Sequence, residues 1–218
     1  MTSPTPPRAP RRDATENREA LLAAARLLLN RDPGASLESI AAEAGLSRRS
    51  LYSHFANRDE LVLEVVTSGA TRVAAALEAL PHPDPLTQLA LIASRLWREV
   101  ESVRVMAVVA VRGTLQAHTA AGLAPIRRDV RLAIKAGQAN GTMRDDLDAD
   151  RLARLVEDTA LSVLEESTKH PLSSRDGNRL VMLLCLGVVG LGWRDAATLV
   201  DSTPELSWKD RLSRKDSE

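Results

Sequence analysis

Residues 46–55 read LSRRSLYSHF, and they hold both the single tyrosine and the single phenylalanine of a 218-residue chain. At about 100° per residue, Leu51 and Phe55 share one face of a helix. Arg49 and Ser53 fall on the opposite face, with Ser50 and Tyr52 on the flanks and Arg48 at the N-terminal end. Ser47 is placed to cap this helix. Before it stands Gly45, the residue type that best tolerates a left-handed helix end. The preceding LESIAAEA (37–44) makes two turns with Ile40, Ala41 and Ala44 on one face, Ser36 as its cap and Glu38 near its positive end. Two short helices around a tight glycine turn are a helix-turn-helix. Ile40, Ala41, Ala44, Leu46, Leu51 and Phe55 lock the pair together. The second helix of such a unit enters the major groove with its N-terminal residues nearest the bases. Guanidinium groups on that face suit guanine O6 and N7, each good pair contributing about 1–3 kcal/mol of discrimination. Hydroxyls suit phosphate oxygens. Phe55 is the core plug, and Tyr52 either reaches the DNA backbone or only packs on the helix pair.

Around this unit the chain reads as helix throughout, so the fold class is all-α. A helix spans about Asp13 or Thr15 to Arg31, with Leu21, Leu22, Ala25, Leu28 and Leu29 as its apolar stripe, and Asp32-Pro33-Gly34 stops it. Asn57 and Glu60 make a start signal for a fourth helix running to about Leu80. PHPDP (81–85) is a loop. Further helices are expected near 86–103, 105–118, 124–139, 149–168 and 176–194, with breaks at AAGLAP (120–125), NGT (140–142) and KHPLSS (169–174). The tail 201–218 is polar, and Trp208 either pins it to the body or leaves it free.

Formal net charge is zero, but nine arginines stand against six acids up to residue 58, so positive charge gathers in front. Residues 1–12 are Pro-rich and read as a disordered basic arm, in which Arg8, Arg11 and Arg12 are either solvated or reach DNA. They contain no apolar core of a secretion signal. The run LVMLLCLGVVGLGW (180–193) is shorter than the roughly 20 residues a membrane span needs. Cys185 is the only cysteine, excludes an intrachain disulfide, and fits a buried position in a cytoplasmic protein. The four histidines, at 54, 82, 118 and 170, lack metal-ligand spacing. No phosphate-binding glycine loop or nucleophile elbow is present. The sequence therefore points to no enzyme, no metal and no cofactor.

The segment from Arg18 to Val66 resembles the DNA-binding domain of the tetracycline repressor (TetR) family of bacterial regulators. The resemblance rests on Ile40-Ala41, Ala44-Gly45-Leu46-Ser47, Leu51-Tyr52, His54-Phe55, Arg58 and Leu61 in order and spacing. It implies DNA contacts from Arg48, Arg49, Ser50, Tyr52, Ser53 and His54, a phosphate contact from Arg58, where the family more often has lysine, and a further contact from Ser36. Glu38 faces phosphate poorly and is left out. The implied organisation is a helix-turn-helix domain over 13–60, a connecting helix to about 80, and an effector-binding and dimerisation domain over 81–200. The implied function is a ligand-responsive repressor in the cytoplasm, acting as a homodimer on double-stranded, palindromic DNA.

For the second domain, the stripe of Leu155, Thr159 and Val163 and the apolar Leu183, Leu186, Gly187 and Gly190 are candidates for a four-helix dimer interface; a purely intrachain core is the other reading. Trp97, Glu101, Arg104, Met106, Arg112 and His118 are candidates for the lining of a pocket taking a hydrophobic or amphipathic small molecule. A DNA-binding protein without an effector would share the same front domain, and ligand-induced shifts in melting temperature separate the two.

Overall fold

The computed structural model describes residues 10–77 and 81–208, with side chains from Ala14 onward. Among them are ten α-helices and no strand: α1 Pro10–Arg31, α2 Leu37–Glu43, α3 Arg48–His54, α4 Arg58–Leu77, α5 Pro85–Val100, α6 Arg104–Arg112, α7 Gln116–Ala139, α8 Ala149–Lys169, α9 Ser174–Val188 and α10 Trp193–Ser202. No described helix is long and apolar enough to cross a membrane.

The caps read from the sequence form. Ser36 Oγ accepts from the Ser39 amide at 3.1 Å and Ser47 Oγ from the Ser50 amide at 3.2 Å. Gly45 takes φ +69°. Around it, the Leu46 amide donates to the Ala41 carbonyl and the Gly45 amide to that of Ala42, the paired bonds that close a helix on a left-handed residue. Asn57 Oδ1 caps α4 through the Glu60 amide, and Glu60 reaches back to the Ala56 amide at 2.7 Å. The reciprocal pairing is thus one residue earlier than the usual box.

Two apolar cores result. The front core joins Leu21, Ala25 and Leu29 of α1, Ile40 and Ala41 of α2, Leu51 and Phe55, and Leu61, Val65 and Val66 of α4. It also takes in Met106 and Ala110 of α6. The rear core holds Val73 and Leu77 of α4 with the inward faces of α5, α7, α8, α9 and α10. Helix α4 therefore serves both cores, and α6 is built into the front one.

Four sequence expectations need correction. Pro10 opens α1, where its missing N–H costs nothing, so residues 10–12 are helical; residues 1–9, with Arg8, lie outside the described residues. AAGLAP is no break. The chain breaks at Gly113, and α7 runs through Gly122 and Pro125. A Cβ on Gly122 would stand 3.1 Å from Ala70 Cβ, so this glycine serves close packing of α7 on α4. At the far end, α9 stops at Val188, Gly190 takes φ +112°, and a separate α10 follows. The polar tail is shorter than read: Leu206 is buried, and Trp208 lies under the Arg98 guanidinium, 4.7 Å from ring centre. Residues 78–80 and 209–218 are not among those described.

Candidate nucleic-acid interface and effector cavity

Leu51 and Phe55 are buried and fix the rotation of α3. The Arg18 guanidinium, paired with Glu64, sits 5.3 Å over the Phe55 ring and ties α1 and α4 to it. Arg48, Arg49, Tyr52 and Ser53 are left exposed on the outer face, with Ser50 and His54 half-buried beside them. Glu38 organises the N-terminal end of this face. Its Oε1 accepts from Arg48 at 2.7 Å and from the Tyr52 hydroxyl at 3.2 Å. Its own backbone amide, then Tyr52 and Arg48, hold its carboxyl below the usual carboxylate range. The sequence reading set Glu38 aside as a poor neighbour for phosphate. The signal it missed was geometric: the N-termini of α2 and α3 lie at one edge, so an acid there meets the first residue of α3. Ser53 Oγ donates to the Ser50 carbonyl at 2.6 Å, and Ser36 Oγ is occupied as a cap. Arg49 has no hydrogen bond or ion pair among the described residues.

Arg58 is placed differently from a free phosphate clamp. Its Nε donates to the Ala35 carbonyl at 2.9 Å and its Nη2 to the Pro33 carbonyl. One fork therefore holds the loop between α1 and α2 against the start of α4.

Behind this domain lies a cavity of about 440 Å³, bounded by α1 and α4–α9. That is ample for a small ligand, whose sites run to about 300–1,000 Å³. Of the six residues expected to line it, Trp97 and Met106 do. Glu101 and Arg104 lie elsewhere: Arg104 donates to the Glu101 and Ser167 carbonyls and covers the outer side of Trp97, 5.8 Å from ring centre. Arg112 pairs with Glu165 at 3.0 Å and Asp158 at 3.3 Å. His118 is exposed in the first turn of α7, carried out of the wall by the break at Gly113. The charged groups that do line the cavity are others: Arg26, Arg72, Arg127, Arg131 and Arg154, with Asp150 and Glu157. Glu157 takes Arg127 in a two-pronged ion pair. Cys185 is a wall residue, its thiol pushed up to about 12 by burial. Among the described residues no group of acids, histidines and cysteine is placed to hold a metal.

Several of the residues expected at a pairing face lie open on α8 and α9. Leu155 and Leu184 are 42% and 45% exposed, Gly187 has open space where a Cβ would stand, and Thr159 and Leu183 are half-buried. Val163 and Leu186 are instead buried in this chain's own core, and Gly190 forms a turn against Arg144. Leu184, which the sequence reading passed over, takes their place on the open face.

A family model, "Bacterial regulatory proteins, tetR family", matches residues 20–65. No curated protein matches the sequence. Among solved structures, the chain is similar to the transcriptional regulator FadR from Bacillus subtilis in complex with stearoyl-CoA, at 14% identity and TM-score 0.66 over 79% of this chain and 97% of that one. It is similar to SmeT, the repressor of the Stenotrophomonas maltophilia multidrug efflux pump SmeDEF, at 23% identity and TM-score 0.61 over 79% and 91%. It is similar to PfmR, a TetR-family transcriptional regulator from Thermus thermophilus, at 23% identity and TM-score 0.62 over 77% and 97%. The helix-turn-helix at residues 20–65 thus matches the tetR family of bacterial regulatory proteins, and the helical body behind it shares the fold of these solved regulators.

Proposed function

We propose that the chain is a cytoplasmic, ligand-responsive transcriptional repressor that binds a palindromic operator as a homodimer. The observation that carries this reading is α3 itself: a seven-residue helix clamped by Leu51 and Phe55, turning Arg48, Arg49, Tyr52 and Ser53 outward. Arg49, without a partner among the described residues, reads base edges, with Arg48 beside it. Tyr52, Ser50, Ser53, His54 and Ser36 position the helix on the sugar-phosphate backbone. Glu38 holds Arg48 and Tyr52 in place until DNA competes for them. Arg58 shapes the loop at the α4 start and presents charge to phosphate only secondarily.

One such helix covers few base pairs, so two copies are needed, with recognition helices about 34–36 Å apart in successive major grooves. Leu155, Leu184 and the open surface at Gly187 support α8 and α9 as the pairing face. The cavity behind the front domain supports an effector, and the stearoyl-CoA named with the FadR structure is amphipathic, as expected for such a wall. The test is selection from random duplex DNA at near-physiological salt. An enriched palindrome with half-sites one helical turn or slightly more apart is expected. Arg49→Ala should then lower affinity for that palindrome about 5- to 150-fold while barely changing binding to random DNA. Equal losses on both would remove Arg49 from base readout.

A further inference from the structure

From the charges that line the apolar cavity, we infer that its ligand is an anionic amphiphile, its apolar tail among Leu89, Trp97 and Ile126 and its head on Arg26 of α1 and Arg72 of α4. This inference rests on reading the cavity as an effector site.

The wall is overwhelmingly apolar, and its charged residues are not balanced. Five arginines line it against two acids, Asp150 and Glu157. Glu157 is taken by Arg127 at 2.6 Å and Asp150 by Arg131 at 3.2 Å. Arg154 lies in the field of the Asp148 carboxylate. Arg26 and Arg72 remain. Neither has an ion pair or hydrogen bond among the described residues, and the charge that acts on Arg26 is that of Arg72. Burial, then Arg72, push the Arg26 guanidinium below its ordinary pKa, though such a group stays charged. Arg26 is half-buried against the cavity, where desolvation is costly without an anion to offset it. Two like charges held together beside a 440 Å³ apolar cavity are an arrangement that an anionic head would relieve. A carboxylate and a phosphate monoester both fit this chemistry; guanidinium forks donate to either. A neutral or cationic head would leave the repulsion in place.

The positions matter for signalling. Arg26 belongs to the first helix of the DNA-binding domain, and Arg72 to the rear half of α4. One head bridging them would tie the front domain to the body.

The experiment titrates the full chain with decanoate, decyl phosphate and 1-decanol, following tryptophan fluorescence, since Trp97 lines the cavity. Both anions are expected to bind about tenfold more tightly than the alcohol, the size of one charge-assisted hydrogen bond at a half-exposed site; whichever anion is tighter names the head. Shortening the tail should cost about fourfold per methylene, from about 0.8 kcal/mol of burial each. The double variant Arg26→Gln/Arg72→Gln should lose the preference for anions and keep the affinity for 1-decanol. Arg72→Gln alone, at an exposed position that does not endanger folding, should lose part of it. Anions and alcohol binding equally to the wild type, or a preference that survives neutralising Arg72 and Arg26, would overturn the inference and leave the effector site standing. Binding of none of the three would remove the effector reading as well.

Discussion

Arg58→Ala separates an architectural arginine from a phosphate contact. In the structure its Nε bond to the Ala35 carbonyl is part-buried, and the Nη2 bond to Pro33 is exposed. A hydrogen bond from a charged donor contributes about 1.5–3 kcal/mol when shielded, and the exposed one is worth less. Ala35 is 5% exposed, so its carbonyl is poorly placed to recover a water. Against this, a cation at the first residue of α4 opposes the helix dipole by about 0.3–1 kcal/mol, which alanine relieves. The net expectation is a loss of about 2 kcal/mol. For a chain of this length that lowers Tm by about 4–8 °C in a thermal melt. Arg58→Lys keeps the charge but cannot span two carbonyls, so most of the loss should persist. If Arg58 instead served only as a phosphate clamp, alanine would leave Tm unchanged and reduce the salt slope of DNA binding by about 0.9. A wild-type Tm for Arg58→Ala would refute the anchoring role.

Three further outcomes follow from packing. Gly177→Ala would put a Cβ 1.9 Å from Trp97 Cζ2, and the indole, whose Nε1 donates to the Ser174 carbonyl, has no room to yield; urea denaturation should show a loss of about 3 kcal/mol or more, with altered tryptophan emission. Leu184→Glu, on the open α8–α9 face, should convert a dimer to a monomer in sedimentation at unchanged helicity, whereas Leu186→Glu should unfold the body; a dimeric Leu184→Glu protein would move the pairing face elsewhere. Cys185 should resist Ellman's reagent in the folded chain at pH 8 and react only as fast as the chain opens. Its folded pKa, about 12, lies above the ordinary value of 9.0. Its stabilising contribution is therefore full below pH 9 and lost as pH rises toward 12; prompt thiol titration at pH 8 would contradict the burial.

Legibility of the chain followed the range of the interactions involved. Ser36, Ser47 and Gly45 act within four residues, so the helix-turn-helix could be read almost residue by residue. So could the burial of Leu51 and Phe55, which depends only on helical period. Gly122 misled because a glycine in a helical pattern has two meanings, a stop or a close approach, and only the position of Ala70 on α4 decides between them. The same ambiguity in reverse hid α10: Gly187 and Gly190 suggest packing surface in the sequence, whereas Gly190 follows a helix end and Gly192 caps the next helix. The site residues divide likewise. Those on α3 were set by local period. The cavity wall needed three-dimensional knowledge, and Arg26 and Arg72, over forty positions apart, cannot be paired by spacing. Arg112 and Arg104 looked like pocket residues by composition, yet each is satisfied on the outside by groups 53 and 63 positions away.

The shared residues of the two cores bear on how an effector would reach DNA. Val65, Val66, Met106 and Ala110 belong to the front core and also line the cavity. A ligand filling that cavity therefore touches side chains that share the front core with α1, α2 and α3. Close-packed interiors respond to added volume by switching between packings rather than by yielding smoothly. Helix α4 carries the response further, since it runs unbroken from Arg58 at the recognition unit to Leu77 in the rear core. Coupling of the usual size, about 1–3 kcal/mol, needs only a modest difference in how the ligand fits two packings of those four side chains. If such a ligand weakens operator binding, reciprocity requires that operator DNA weaken ligand binding by the same factor. Enlarging the wall with Ala110→Val should then mimic the ligand, lowering operator affinity while competing for the same space. A variant that blocks the ligand yet leaves operator affinity intact would place the coupling outside these four residues.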